Sequence, residues 1–153
     1  MAAARPIWDI RRLTADEVEA VGSVLGLARL HQGDGFYLVA WQGDQPAGHA
    51  YLALTDPPEM QDVEVRPGFR RRGAASALAA AVEAEAGRRG QSVLRITVSA
   101  GSEAAQALYH GLGYADTGLS PVRVKGVIQI RTGPLEVDDT LLTWEKPIRV
   151  PWV

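Results

Sequence analysis

Arg66, Arg70, Arg71 and Arg72 crowd into one short stretch, and the last three run directly into Gly73, Ala74 and Ala75. Helical spacing begins just after this turn: Ala75, Leu78, Ala79, Val82 and Ala86 recur at intervals of three and four residues, which predicts a helix with one stripe turned to a core. Its end is marked by Arg88 and Arg89 in the last turn and by Gly90, placed to take a left-handed C-terminal cap. Its start has no such marker. No Ser, Thr, Asp or Asn stands among Arg72, Gly73 and Ala74, so the first backbone N–H groups lack a side-chain acceptor in the sequence. A helix dipole is positive at that end, small residues let a ligand approach the backbone closely, and the arginines add formal charge. The chemistry this pattern suits is capture of an anion. Such an anion would draw on several N–H donors converging between Arg71 and Ser76.

The remaining composition limits what that anion belongs to. At 153 residues the chain is predicted to form one domain, residues 1–153, with a single sizeable core. With 46% apolar and 22% charged residues, the balance is that of a globular protein and argues against disorder. The sequence contains no cysteine, which excludes a disulfide framework, a thiolate zinc site and a cysteine nucleophile together. His31, His49 and His110 have neither metal-site spacing nor a visible nucleophile partner, so they read as ordinary surface or core histidines and no metal is expected. A net charge of −2 removes any general attraction to polyanions; the basic cluster is local and fits a small phosphorylated ligand better than a nucleic acid. No apolar run approaches the ~18 residues of a membrane span. Met1-Ala2-Ala3-Ala4-Arg5-Pro6 lacks the apolar core of a signal peptide, so no membrane association and a cytoplasmic location are expected.

Several elements must position the arginine turn. Ile7 to Leu13 reads as a first strand, with Trp8 and Ile10 alternating against Asp9 and Arg11. Thr14-Ala15-Asp16-Glu17 has the spacing of a capping box. Val18, Val21, Leu25 and Ala28 then predict an amphipathic helix to about Leu30, with Gly22 and Gly26 as points where it can break. His31 to Gly35 is a loop. Phe36 to Trp41 and Ala47 to Leu54 are strands joined tightly through Gln42-Gly43-Asp44-Gln45-Pro46, an antiparallel hairpin. Met60 to Val65 is a fourth strand leading into the turn, and Ser92 to Val98 a fifth, so that strand, helix and strand make a right-handed parallel unit. A shorter helix follows Ser99 to Ser102, with Ala105, Leu108, Tyr109 and Leu112 on one face and Gly113 at its end. Val122 to Ile130 and Leu141 to Glu145 are two more strands, bridged by residues 131–139. This order predicts an α/β sandwich around a mixed sheet.

Arg70-x-x-Gly73-x-Ala75, following Val63-Glu64-Val65-Arg66-Pro67, resembles the acyl-CoA pyrophosphate loop of the GCN5-related N-acetyltransferases, the GNAT family. That loop runs Gln or Arg, two residues, Gly, one residue, then Gly or Ala. A second segment, Ala105-Gln106-Ala107-Leu108-Tyr109-His110-Gly111-Leu112-Gly113-Tyr114, lies at the correct distance downstream and is similar to the family's Ala-x-x-Leu-Tyr-x-x-x-Gly-Phe/Tyr segment. The resemblance implies a GNAT-like α/β fold: a mixed, mostly antiparallel central sheet with helices on both faces, and a splayed parallel strand pair forming the acyl-CoA cleft.

The resemblance also implies acetyl-CoA as acyl-donor co-substrate, its pyrophosphate held by Arg70, Arg71, Arg72, Gly73, Ala74, Ala75 and Ser76. The backbone of Val63 and Val65 would pair with the pantetheine amides, and the Val63 N–H would polarise the thioester carbonyl; loss of one such fixed donor costs about 100-fold or more. Many family members carry Asn where this chain has Ser102, whose shorter hydroxyl either still contacts CoA or only caps the helix. Tyr109 takes the family's general-acid position. A thiolate with a pKa of about 8.5, if it resembles cysteine, can be hydrogen-bonded or protonated by a phenol near ~10 as it leaves. An alkylammonium near ~10 must first lose a proton, and a carboxylate in or near the fourth strand is the usual family solution. Glu59, Asp62 and Glu64 qualify; alternation predicts Asp62 and Glu64 on one face and Glu59 on the other, and the first two are favoured.

The activity implied is N-acetylation of a primary amine on a small molecule by direct attack in a ternary complex, since the missing cysteine disfavours a covalent route. Two other readings stay open: a non-catalytic acyl-CoA-binding or regulatory domain, favoured by Ser102 and opposed by Tyr109, and acetylation of a protein N-terminus or lysine. Aminoglycoside, polyamine, amino acid and protein N-terminus all remain as acceptors. Glu136-Val137-Asp138-Asp139 reads as a solvated turn close to where family members shape the acceptor pocket. Trp41 and Trp144 are expected in the core; Pro147 to Val153, with Trp152, would pack on the domain or on the second subunit of a homodimer.

Overall fold

The computed structural model describes residues 8–29 and 33–152; expectations placed on residues 1–7, 30–32 and 153 lie outside them. Four strands, β1 (Asp9–Arg12), β2 (Gly35–Gln42), β3 (Gln45–Ala53) and β4 (Glu59–Val65), pair antiparallel in sequence order. β4 then meets β5 (Val93–Ser99) in parallel. β5 pairs antiparallel with β8 (Gly133–Pro147), which also pairs with the short β6 (Ala115–Asp116) and with β7 (Val122–Ile130). The result is a mixed, mostly antiparallel sheet.

Both faces of that sheet are covered. α2 (Ala74–Arg88) lays Ala74, Leu78, Ala79, Val82 and Ala86 against Leu38, Leu52, Met60, Leu94 and Ile96, and α3 (Glu103–Gly111) adds Ala105 and Tyr109 to the same cluster. On the opposite face α1 (Val18–Gly22) and the segment after it bring Val21, Leu25 and Leu27 against Tyr37, Val39 and Tyr51. Alternation along β2 divides its side chains between the two clusters, and each fully buried Leu, Val or Ile contributes about 1.5–3 kcal/mol. Among the described residues no helix is long and apolar enough to cross a membrane.

The α2 boundaries match the helical spacing, with Gly90 at φ +83° and the Gln91 N–H returning to the Ala86 carbonyl at 3.1 Å. Ala74, rather than Ala75, occupies the first buried position of the stripe. The capping box forms: Glu17 Oε1 accepts from the Thr14 N–H at 3.0 Å, and that bond leads the causes drawing the Glu17 carboxyl down to about 2. The helix after it is much shorter than its pattern predicts. A 3-10 turn, Ala15–Glu17, leads into α1, which stops at Gly22 instead of running to Leu30. Beyond that point the Ala28 N–H donates to Asp62 Oδ2 at 2.9 Å and the Arg29 N–H to the Tyr37 hydroxyl at 2.7 Å, so tertiary acceptors replace helical carbonyls.

Residues 131–139 are not a bridging loop. The chain turns at Arg131 and Thr132 and continues as strand, with Lys125 opposite Asp138 and Arg123 ion-paired to Asp138. The acidic stretch is therefore a strand with cross-strand cations, not a solvated turn. After β8 the chain returns to its own domain: the Ile148 N–H donates to the Ser92 carbonyl at 2.9 Å, and the Arg149 carbonyl lies against Gly87.

That last contact generates a prediction of unusual sign. Gly→Ala inside a helix ordinarily stabilises by up to about 1 kcal/mol. A Cβ on Gly87 would sit 2.2 Å from the Arg149 oxygen, so Gly87→Ala must displace the C-terminal segment and is expected to lower stability by about 1–3 kcal/mol in urea unfolding. A stabilised variant would show that this packing is weak.

Candidate active site

β4 ends in a 3-10 turn, Pro67–Phe69, after which the chain passes through two left-handed residues, Arg71 at φ +62° and Gly73 at φ +80°, before α2 begins. The first intrahelical bond runs from the Ala77 N–H to the Gly73 carbonyl at 3.0 Å. The N–H groups of Ala74, Ala75 and Ser76 precede that ladder, and no side chain caps them. A Cβ placed on Gly73 would meet no atom within 4 Å, so the space beside this turn is open. Ala74 is buried and its small side chain serves the core, whereas Gly73 and Ser76 are exposed.

The arginines divide between bracing and display. Arg70 Nε donates to the Val65 carbonyl at 3.0 Å, and Arg66 donates to the Pro46 carbonyl at 3.0 Å while stacking over Phe69. Arg71 and Arg72 are exposed at the turn. Trp8 Nε1 ties the turn to the sheet by donating to the Arg72 carbonyl at 3.0 Å. That brace joins residues far apart in the chain and left no local signal in the sequence.

A cavity of about 460 Å³ opens beside the turn, lined by Val63, Glu64, Val65, Phe69, Arg70, Arg71, Gly73, Ala74, Ala75, Ser76 and Leu108. Leu108 was expected on the buried face of its helix; it is 40% exposed and forms the far wall instead. The cavity exists because β4 and β5 share a single partner pair, Glu59 with Arg95, and separate beyond it. Past that pair the β4 edge facing β5, which includes Val63 and Val65, lacks a strand partner among the described residues.

The separation coincides with a bulge. The register of β3 on β4 slips between His49 and Tyr51, and Asp62 takes φ +48°. Ala53, Tyr51 and His49 share one face of β3, and their partners are Glu59, Gln61 and Glu64. The expected separation of Glu59 from the other carboxylates is thus overturned: the extra residue in the bulge places Glu59, Gln61 and Glu64 on the same face. Asp62 points there too, accepting from the Tyr37 hydroxyl at 2.5 Å and from the Ala28 N–H at 2.9 Å. Glu59 accepts from Thr97 Oγ1 at 3.1 Å, at the end where the strands are still joined. Glu64, with 54% of its side chain exposed, is the carboxylate that lines the cavity.

Tyr109 is half-buried on α3, its ring packed edge-on to Tyr114 with centroids 6.0 Å apart. Burial, and then the charge of Asp62, raise its phenol pKa, so it holds its proton at neutral pH and lies within electrostatic range of Asp62. Ser102 Oγ accepts from the Ala105 N–H at 3.2 Å, the helix-capping bond.

A family model described as the Acetyltransferase (GNAT) family matches residues 5–114. The chain belongs to the GNAT family. It is an acyltransferase of the acetyl-transferring kind. No curated protein matches it. Among solved structures it is similar to the ribosomal-protein-S18-alanine N-acetyltransferase from Escherichia coli, at 19% identity and TM-score 0.70 over 94% of this chain and 95% of that one. An IAA acetyltransferase from Bacillus cereus matches at 20% identity and TM-score 0.70, over 93% of this chain and 100% of that one. A Bacillus subtilis acetyltransferase in complex with CoA matches at 17% identity and TM-score 0.66, covering 93% and 99%.

This GNAT chain has a second cavity, of about 500 Å³, bordered by Arg12, Val18, Arg29, Phe36, Tyr37, Tyr51 and Arg131 and sharing no lining residue with the first. Tyr37 connects the two regions, since its ring borders the second cavity while its hydroxyl holds Asp62. Burial and the Asp62 bond push its pKa far above the ordinary phenol value, so it remains a donor throughout the working pH range. Tyr37→Phe leaves both Asp62 and the Arg29 N–H short of a partner. The expected result is a loss of about 1–3 kcal/mol, seen as a lower denaturant midpoint, together with faster hydrogen exchange at Ala28 and Arg29. Unchanged exchange would mean that Asp62 and Tyr37 do not hold this loop.

Proposed function

We propose that this GNAT protein, acting as a single domain, transfers the acetyl group of acetyl-CoA to a primary amine of a small molecule by direct attack in a ternary complex. The observation that carries the reading is the uncapped start of α2: N–H groups of Ala74, Ala75 and Ser76, flanked by the left-handed Arg71 and Gly73, opening onto the cavity between the separated strands. Those donors, with Arg71 and Arg72, suit the pyrophosphate. The edge of β4 at Val63 and Val65, which lacks a strand partner among the described residues although the Val65 carbonyl accepts from Arg70, suits the pantetheine amides, and the Val63 N–H suits the thioester oxygen. The CoA complex of the similar Bacillus subtilis protein supports the same donor.

In this mechanism Glu64 removes a proton from the acceptor ammonium, since its carboxylate lines the cavity while that of Asp62 is committed to Tyr37 and Ala28. The neutral amine forms a bond to the thioester carbonyl carbon, charge gathers on its oxygen, and the C–S bond breaks. Tyr109 gives its proton to the departing thiolate and regains one from solvent; the amide nitrogen's surplus proton leaves through the base. Asp62 acts by position, fixing residues 23–29 beside the acceptor. A non-catalytic acyl-CoA binder remains the second reading. Ser102 favours it, because its hydroxyl is engaged in capping α3.

Acetyl-CoA is expected to raise the melting temperature, a ligand at 100 times its Kd contributing about 2.7 kcal/mol. Gly73→Glu, which projects an anion into the open space at the turn, is expected to abolish that shift while circular dichroism stays little changed. No shift for the parent protein at millimolar acetyl-CoA would sink the donor assignment.

Tyr109→Phe keeps the ring and removes the acid, so kcat is expected to fall by about 10²- to 10⁴-fold with acetyl-CoA affinity nearly intact. A panel of primary amines assayed for CoA release supplies the acceptor for this comparison. An unchanged kcat would remove Tyr109 from the mechanism, and a parent protein that binds acetyl-CoA but turns over no amine would favour the binding-module reading.

A further inference from the structure

His49 lies on β3 with 1% of its surface exposed, and the mechanism above leaves it unused. Its Nδ1 is 2.8 Å from the Asp62 backbone carbonyl. A carbonyl oxygen only accepts, so Nδ1 carries the hydrogen, and in the neutral ring Nε2 is left with a lone pair. That nitrogen is buried without a hydrogen-bond partner among the described residues, and it faces Glu64 Oε2 at 3.9 Å. The same oxygen is covered from the other side by the backbone of Gly26, where an added Cβ would stand 3.4 Å away. A buried nitrogen with no partner is costly, and here it is aimed at the carboxylate lining the acyl-donor cavity.

We propose that His49 is a positioning residue for acetyl transfer, its Nε2 accepting a hydrogen bond from Glu64 once Glu64 has removed the acceptor's proton, and then taking that proton up. This rests on the reading of Glu64 as the base. A shift of about 1 Å in the exposed Glu64 side chain, once it has taken the acceptor's proton, brings its O–H within hydrogen-bond reach of the Nε2 lone pair. The proton passes from the ammonium nitrogen to the Glu64 carboxylate, then to Nε2, and returns through Glu64 to solvent as product leaves. Passing the proton on restores the Glu64 carboxylate.

The groups around the ring decide whether an imidazolium is tolerated there. β4 supplies the Asp62 carboxylate, 3.8 Å from Nδ1, and Glu64. β2 supplies the edge-on ring of Tyr37, 5.5 Å away, and its phenol stays neutral. Of the nearby cations, Arg29 is turned to Asp34 at 2.7 Å, and Arg131 donates to the carbonyls of Leu27 and Gly22. Tyr109 on α3, its pKa raised by burial and by the Asp62 charge, is uncharged at neutral pH. Among the described residues the ring thus faces two carboxylates, which would stabilise the positive charge it gains when Nε2 takes up the proton.

Nitrogen-15 NMR of histidine-labelled protein, with the His49 signals identified by their loss in His49→Asn, tests the pair without any substrate. The expected result is a neutral tautomer protonated at Nδ1, with a His49 pKa that falls in Glu64→Gln. An Nε2-protonated tautomer, or a titration unmoved by Glu64→Gln, would overturn the proposal. Kinetics test the role. His49→Asn keeps an amide able to donate to the Asp62 carbonyl but deletes the atom facing Glu64. It is expected to lower kcat by about 10- to 100-fold and to shift the acidic limb of the pH–rate profile, with acetyl-CoA KM unchanged. A purely structural histidine predicts parental kcat in His49→Asn, which would also overturn it. Absence of amine turnover in the parent protein would remove the proposed function and with it the catalytic part of this inference, while the NMR titration would still decide whether His49 and Glu64 are coupled.

Discussion

One extra residue in β4 shapes most of what is chemically interesting in this protein. Asp62 holds a left-handed backbone at φ +48°, a conformation costing on the order of 1–3 kcal/mol for a residue other than glycine. Three contacts offset that cost: the Tyr37 hydroxyl and the Ala28 N–H on the carboxylate, and the His49 ring on the carbonyl. A bulge bends and twists its strand, and β4 accordingly leaves β5 after a single partner pair. The same insertion resets the side-chain alternation, so Glu59, Asp62 and Glu64 come to one face. A cleft and a set of carboxylates beside it thus share one local cause.

The start of α2 is the complementary feature. Most helices of this length cap their first N–H groups with a side chain; this one begins at a left-handed glycine with three donors free. Such an end is kept in place by others. Trp8 reaches from the first strand to the Arg72 carbonyl, Arg70 folds back on the Val65 carbonyl, and the buried stripe of the helix locks its axis against the sheet. Because the turn is braced before any ligand arrives, its donors are already oriented, which lowers the ordering cost of binding.

The loop between α1 and β2 shows how one polar network serves both packing and chemistry. Leu25 and Leu27 fill the core on that side, while the intervening and following backbone is drawn over β4 by Asp62 and over β7–β8 by Arg131, whose N–H and guanidinium both bond loop carbonyls. The loop therefore lies over Glu64 at Gly26, where a larger residue would press on the carboxylate. Its position depends on side chains from three separate parts of the chain.

By itself the sequence determined what is local. The 3.6-residue stripe and terminal glycine of α2, the β2–β3 hairpin with its tight turn, the uncapped helix start and the two family-like segments all depend on residues a few positions apart, and all appear in the structure. Tertiary structure decided what depends on partners distant in the chain. α1 ends at Gly22, and at Ala28 and Arg29 the N–H groups that a helix running to Leu30 would use go to Asp62 and Tyr37 instead, while residues 133–139 are strand because β7 pairs with them. The common face of Glu59 and Glu64 and the buried, carboxylate-facing nitrogen of His49 follow from a slip in cross-strand register. Sequence periodicity assumes an unbroken alternation, and a bulge is a break in it that only the neighbouring strand reveals.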